Sequence, residues 1–307
     1  MRVAFMGTPQ FAVPTLQALL DSDHEVALVV AQPDRPAGRG QKLVSPPTIT
    51  LARSHDLPIW QPRAVKRGPF PDAWCALEID VAVVIAYGRI LPQRLLDAPR
   101  LGCVNVHASL LPAYRGAAPI QWAVLNGDQE TGVTTMQMEA GLDTGPMLLQ
   151  RKLPIGREDT SGSMHDSLSL LGAELLIETL DRLESLTPTP QRHEAATHAP
   201  MLAKSDGVVD WSRSAKALGC HVRGMSPWPG AFTTFRGERV KIHAARSVSG
   251  AVTMEGTGVV LGVDEELLVS TGEGVIELIE LQRAGKRRQS AKDFISGTRV
   301  TQGELFE

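Results

Sequence analysis

The stretch VAVVIAYG, Val81 to Gly88, opens with five apolar residues in succession and shows no alternation of polar and apolar positions. A strand without a polar face must be covered on both sides, as happens in parallel sheets flanked by helices. The pattern recurs along the chain. RVAFMG precedes a helix-period segment from Phe11 to Leu20, EVALVVAQ one from Thr48 to His55, and VAVVIAYG one from Leu91 to Asp97. This alternation predicts an α/β fold, a Rossmann-like and mostly parallel sheet with helices on both faces. CVNVHAS and TGVTTMQME continue the series but carry polar residues at strand positions. Between Ser161 and Leu186, Leu168, Leu171, Leu175, Ile177, Leu180 and Leu183 recur at helical spacing and predict a long closing helix.

The texture then changes. TPTPQRHEAATHAP has proline, threonine and charge without a period, the composition of an extended linker. A helix is expected from Ser212 to Val222, followed by short strands in AFTTFRG, RVKIHAARSV, GTGVVLGVDEE, LLVSTGEG and VIELIELQRAG. Glycine turns between alternating strands predict a small C-terminal β-barrel, of which an OB-like one is an option. The expected division is a domain over 1–188, a linker over 189–208 and a second domain over 209–307.

Composition narrows the function classes. The 307 residues are 43% hydrophobic and 21% charged, ordinary for a globular protein, and the net charge of -3 excludes a globally cationic nucleic-acid binder. Cys75, Cys103 and Cys220 stand far apart, without zinc-ligand spacing, so no metal site and a reducing compartment are expected. No apolar run approaches the ~20 residues of a membrane helix. The first residues run directly into a strand rather than a leader, which predicts a cytoplasmic protein.

NVHASLLPAYRGAAP, Asn105 to Pro119, places an amide, an imidazole and a hydroxyl at alternate positions. Residues two apart on a strand share a face, so Asn105, His107 and Ser109 are expected to project together at the carboxyl end of the sheet. A buried histidine bonded to a backbone carbonyl would read the same way. A second candidate is EAGLDTGPM, where Asp143 lies between Gly141 and Gly145. Such an aspartate can also serve only its own turn. If the two segments converge, they surround one crevice with an amide, an imidazole and a carboxylate. With no GxSxG elbow and no cysteine beside a base, the set favours direct transfer between two bound substrates. Asn105 and a protonated His107 would stabilise negative charge on a carbonyl oxygen attacked by an amine, while Asp143 holds the imidazolium or takes the amine's proton.

Three further stretches carry less. GTPQF, Gly7 to Phe11, opens the first helix without the GxGxxG pattern of a dinucleotide site and reads equally as a tight turn. QPDRPAGRGQKL sets Arg35, Arg39 and Lys42 against Asp34 on a loop after a strand, a place suited to phosphate contact. GKRRQSAKDF adds Lys286, Arg287 and Arg288, although residues 209–307 hold 13 lysines and arginines against 12 acids.

The segment from Asn105 to Leu148, with Asn-x-His, Ser-Leu-Leu-Pro and Leu-Asp-Thr-Gly in order, resembles the formyltransferases that use 10-formyltetrahydrofolate. The likeness extends to MGTPQFAVPTL, QPDRPAGRGQKL, AYGRILP, RGMSPWPGAFT and LQRAGKRRQSAKDFISG, and is greatest to the branch that formylates methionyl initiator tRNA. The resemblance implies that Asn105, His107 and Asp143 are catalytic. It implies a folate pocket at Ile85, Ala86, Tyr87, Gly88, Arg89, Ile90 and Leu91, with Ser109, Leu110, Leu111 and Pro112 facing the folate. It further implies that Arg35, Arg39 and Lys42, with Lys286, Arg287 and Arg288, contact tRNA, and that the enzyme acts as a cytoplasmic monomer in translation initiation, without a metal. Competing readings are a formyltransferase acting on glycinamide ribonucleotide or a nucleotide-linked amino sugar, a nicotinamide-dependent oxidoreductase, and a non-catalytic RNA-binding module.

Overall fold

In chain order the strands of the first part are β1 (Arg2–Gly7), β2 (Glu25–Val30), the short β3 (Arg35–Ala37) and β4 (Lys42–Val44), β5 (Ile59–Trp60), β6 (Val81–Ile85), β7 (Cys103–His107), β8 (Arg115–Gly116), β9 (Glu130–Gln137), β10 (Met147–Pro154) and β11 (His198–Ala199). Helices are α1 (Val13–Leu20), α2 (Pro47–Ser54), α3 (Phe70–Cys75), α4 (Gln93–Leu96), α5 (Pro119–Leu125) and α6 (Ser161–Arg182). This is a computed structural model, and it describes residues 1–38, 40–248, 256–264 and 266–307. The chain forms two units, one of Met1–Pro119, Thr131–Pro154 and His165–Ala199, the other of Ile120–Glu130, Ile155–Met164 and Pro200–Glu307.

The first unit is built on a seven-stranded sheet in the order β10-β9-β7-β6-β1-β2-β5. β1, β2, β5, β6 and β7 run parallel, and all five residues of β6 are buried, as their unbroken apolar run requires. Each fully buried valine or isoleucine there contributes about 1.5–3 kcal/mol. On one face Trp74, Leu95, Ala82 and Leu28 share a core, in which the Trp74 indole N–H donates to the Leu95 carbonyl oxygen at 3.0 Å. The chain builds outward from β1 through β2 to β5, then returns to add β6 on the other side, where Gly7 pairs with Ile85. The strand order thus reverses between β1 and β6, and it is beyond the carboxyl ends of strands at such a point that open α/β sheets bind ligands.

Several elements depart from the sequence reading. β9 pairs antiparallel with β7, and β10, which was not expected, forms the edge beyond it. The residues of β10 alternate between half-buried and exposed over its second half, the signature of an edge strand rather than a core one. The helix expected from Leu91 is only α4, because extended Pro92 stands immediately before it. Residues 189–208, expected as an extended linker, are neither wholly extended nor free, since His193–Ala195 and Lys204–Gly207 each form a short 3-10 helix. Thr189 bridges Met147, and β11 pairs parallel with β8.

In the second unit α7 (Ala215–Gly224) begins three residues later than expected, where the Ser214 hydroxyl accepts the Ala217 amide hydrogen. Then come β12 (Ala231–Phe235), β13 (Glu238–Val248), β14 (Val260–Gly262), β15 (Leu267–Ser270), β16 (Val275–Arg283), β17 (Gln289–Ser290) and α8 (Ala291–Thr298). The antiparallel sheet runs β12-β13-β16-β15-β14, with β17 on β16. Its two end strands are joined by the last residues of the chain, since Phe306 bridges Phe235 of β12 and Leu305 bridges Val259 beside β14. The sheet thereby curls into the expected barrel-like ring around Phe235, Phe294 and Phe306.

Candidate active site

His107 ends β7, two residues past the Val84–Asn105 pair that joins β7 to β6, and so lies level with the start of the 86–91 loop. Asn105 and His107 share one face of the strand. Nε2 of His107 is 2.9 Å from the carbonyl oxygen of Tyr114. A carbonyl only accepts, so this nitrogen carries a hydrogen. Nδ1 then faces Oδ2 of Asp143 at 3.8 Å, between side chains that are 7% and 13% exposed. At that burial the two groups interact more strongly than a surface pair would. The backbone-satisfied histidine weighed from sequence thus describes one ring nitrogen and leaves the other turned to the carboxylate. The Asn105 side chain is half-buried and makes no hydrogen bond among the described residues.

The Asp143 loop is tightly constructed. Asp143 has φ 53, in the left-handed region that aspartate tolerates better than most residues, and its Oδ2 accepts the Gly116 amide hydrogen at 2.9 Å. A Cβ at Gly145 would stand 1.8 Å from the Gln137 carbonyl oxygen, so only glycine fits there. Gln191 donates to the carbonyl oxygens of Asp143 and Gly145, at 2.9 and 2.7 Å. Arg115 in turn donates to Gln191 Oε1 through Nε at 3.0 Å and through a terminal nitrogen at 2.7 Å. Sequence reasoning missed both residues, and a glutamine in a proline-rich stretch offers no signal by which to find it.

The 85–91 segment leaves the carboxyl end of β6, the neighbour of β7 in the sheet. Ala86, Gly88 and Ile90 are exposed, Ile85, Tyr87 and Leu91 are buried, and Arg89 is half-buried. Ala86 and Gly88 both have positive φ, 46 and 76. The Tyr87 carbonyl oxygen accepts from Thr8 at 3.4 Å and from Gln32 at 3.0 Å. Gln32 Oε1 accepts from Arg89 at 3.1 Å and Arg35 at 3.4 Å, which makes Gln32 a further residue the sequence did not single out. The Tyr87 hydroxyl is buried without a hydrogen-bond partner among the described residues, and burial pushes its pKa up to about 12. Thr8 and Gly7, whose Cβ would meet Ala12 at 2.8 Å, form a packing turn.

Ser109 corrects an expectation. β7 stops at His107, so Ser109 does not share the face of Asn105 and His107; it is fully buried, and its hydroxyl donates to the Ala113 carbonyl oxygen at 2.6 Å. Leu111 is buried, and Leu110 and Pro112 are half-buried. Arg35 and Lys42 lie exposed on the β3–β4 ribbon beside exposed Leu43 and Val44, whereas Arg39 lies outside the described residues. Lys286, Arg287 and Arg288 are exposed in the second unit, with Arg288 paired to Glu280. Among the described residues no three His, Cys, Asp or Glu side chains gather as a metal site, and no helix is long and apolar enough to cross a membrane.

An amide, an imidazole and a carboxylate gathered at the carboxyl end of β7, in a chain that also carries a curled β module, fit a two-part group-transfer enzyme. The chain belongs to the formyltransferase family: residues 1–180 match the formyl transferase family, and residues 201–299 match the formyl transferase C-terminal domain. It is 48% identical over 306 residues to methionyl-tRNA formyltransferase of Geobacter metallireducens, covering 99% of this chain and 97% of the relative. With the enzyme of the same description from Ruegeria pomeroyi it shares 51% over 305 residues, 99% of each chain. Among solved structures, an N-formyltransferase from Helicobacter canadensis in complex with folinic acid and dTDP-3-aminofucose shares the fold. It has a TM-score of 0.69 at 17% identity and covers 92% of this chain and 98% of that one.

Proposed function

We propose that this enzyme transfers the formyl group of 10-formyltetrahydrofolate to the α-amino group of methionyl initiator tRNA, acting as a cytoplasmic monomer. Full-length identity to methionyl-tRNA formyltransferases supports the acceptor, and the folinic acid named with the Helicobacter canadensis protein supports the donor. The observation that carries the chemistry is the buried approach of His107 to Asp143 on the face shared with Asn105. When bound, the folate supplies a carbonyl carbon open to amine attack and an oxygen that takes the developing charge. Asn105, with its amide uncommitted, donates to that oxygen, and Nδ1–H of protonated His107 adds a second donor.

An α-amino group has a pKa of about 8, so much of it is protonated near neutrality and attack requires a base. Asp143 takes that proton, with its Oδ2 held by Gly116 and facing His107, and would return it to the folate nitrogen that leaves as its bond to the formyl carbon breaks. Tyr114 keeps the ring oriented while charge moves. Residues Ile85 to Leu91 line the donor site through exposed backbone, with Leu110, Leu111 and Pro112 beside it and Ser109 supporting that turn from within. Residues 1–188 carry this chemistry. Arg35 and Lys42 on the ribbon, together with Arg39, Lys286, Arg287 and Arg288, supply phosphate contacts that fix the acceptor.

The test is formylation of charged initiator tRNA against glycinamide ribonucleotide and an amino-sugar nucleotide. Transfer to the tRNA, with a KM that rises with salt and a slope that falls by about one per basic residue replaced by alanine, supports the reading. Transfer only to a small amine overturns it.

A further inference from the structure

Asp143 is held at two points, and both lead back to one place. Its carboxylate accepts from the backbone N–H of Gly116, while its carbonyl oxygen accepts from the side chain of Gln191. The second hydrogen of the same NH2 group goes to Gly145, so one primary amide pins the loop on either side of Thr144. The orientation of that amide is fixed. A flip would set its oxygen against two carbonyl oxygens and its NH2 against the guanidinium of Arg115. Arg115 immediately precedes Gly116, so its backbone and side chain close a circuit: guanidinium to Gln191, Gln191 to the Asp143 carbonyl, Asp143 carboxylate to Gly116.

Arg115 and Gln191 are each 5% exposed, and the remaining Arg115 nitrogen faces Nδ1 of His193 at 3.3 Å. A buried guanidinium donating to neutral acceptors makes charge-assisted hydrogen bonds, which are stronger than neutral ones. The circuit holds a residue in the left-handed region whose carboxylate stops 3.8 Å from His107. The geometry points to Gln191, oriented by Arg115, as a positioning residue that sets the approach of the Asp143 carboxylate to His107. This rests on the reading of Asp143 as a catalytic group.

The test is Gln191→Met, which keeps side-chain length and removes both donors. Misplacing a reacting group by about 1 Å costs on the order of 100-fold, so kcat is expected to fall about 10- to 100-fold, with KM for both substrates within about threefold. On an Asp143→Asn background, which retains the carbonyl that Gln191 holds, the same substitution is expected to cost less than about twofold, because coupled residues are not additive. Hydrogen exchange of the Gly116 amide, read by NMR, is expected to speed up in Gln191→Met. Equal losses on both backgrounds, or a KM effect without a kcat effect, overturn the positioning role. Unchanged Gly116 exchange does so too, whatever the activity of Asp143→Asn. Full activity of Asp143→Asn by itself overturns the catalytic reading on which the proposal rests. Arg115→Lys, which keeps the charge and loses the fork, repeats the comparison should Gln191→Met fold poorly.

Discussion

Oδ2 of Asp143 and Nδ1 of His107 face each other at 3.8 Å, and the opposite ring nitrogen is tied to the Tyr114 carbonyl, so the imidazole cannot turn away without breaking a bond. Asp143→Asn preserves shape and the acceptor for Gly116 while removing basicity. Single-turnover formyl transfer is expected to drop about 10²- to 10⁴-fold, the usual range for a proton-transfer group, with the melting temperature nearly unchanged. A loss below tenfold would show that the carboxylate does not take the proton.

Two glycine-to-alanine changes separate space from conformation. At Gly145 the new Cβ meets the Gln137 carbonyl oxygen at 1.8 Å, which forces the Asp143 loop to move. Gly145→Ala is expected to lose about 1–3 kcal/mol of stability together with activity. At Gly219, inside α7, none of the described residues lies within 4 Å of the added atom. Gly219→Ala is expected to gain about 0.5–1 kcal/mol by helix propensity, measured by urea unfolding, and to leave activity alone.

Acid sensitivity has a definite sign. Burial holds the pKa of both His24 and His221 below the ordinary 6.5, with the amino terminus adding to the effect at His24. Above 6.5 each is neutral whether folded or not, and stability does not change on their account. Below it the unfolded chain binds protons that the folded one refuses, so stability falls from about pH 6.5 down to the lowered pKa, by at most ~1.4 kcal/mol per pH unit for each group. His221→Gln is expected to flatten the decline of the urea midpoint between pH 7 and 5; an equally steep decline would refute the assignment.

The ring of the second unit is closed by a buried aromatic. Phe306 packs on Phe235 at 4.6 Å between ring centroids. Phe306→Ala is expected to cost about 3–5 kcal/mol, read as a lower denaturant midpoint. A cost under 1 kcal/mol would mean that the ring holds without this contact.

What the sequence showed and what it withheld divides along sequence distance. Burial of Val81 to Ile85 was legible because an apolar run states its own environment, and Asn105 with His107 because a strand's period places them on one face. The glycines around Asp143 marked a turn, but its approach to His107, 36 residues back along the chain, is a contact that no local pattern states. Gln191 was not legible, because its role lies in bonds to carbonyls 46 and 48 residues away, which no local pattern encodes. Gln32 was hidden in the same way, joining Tyr87 to Arg89 and Arg35 from a position that reads as the start of a loop. Ser109 misled because the strand period was carried two residues beyond the point where the strand ends.

The ring also has a temporal consequence. Its seam joins groups very distant along the chain, with the Thr233 hydroxyl donating to the Glu307 carbonyl oxygen across 74 residues and Thr234 exchanging two backbone bonds with Glu307. Loop-closure entropy must be overcome before such contacts give anything back, so closure of the ring by residues 305–307 is expected to come late in folding. Refolding is therefore expected to be slow, and substitution of Phe306 or Thr233 at the seam to slow it further in stopped-flow measurements.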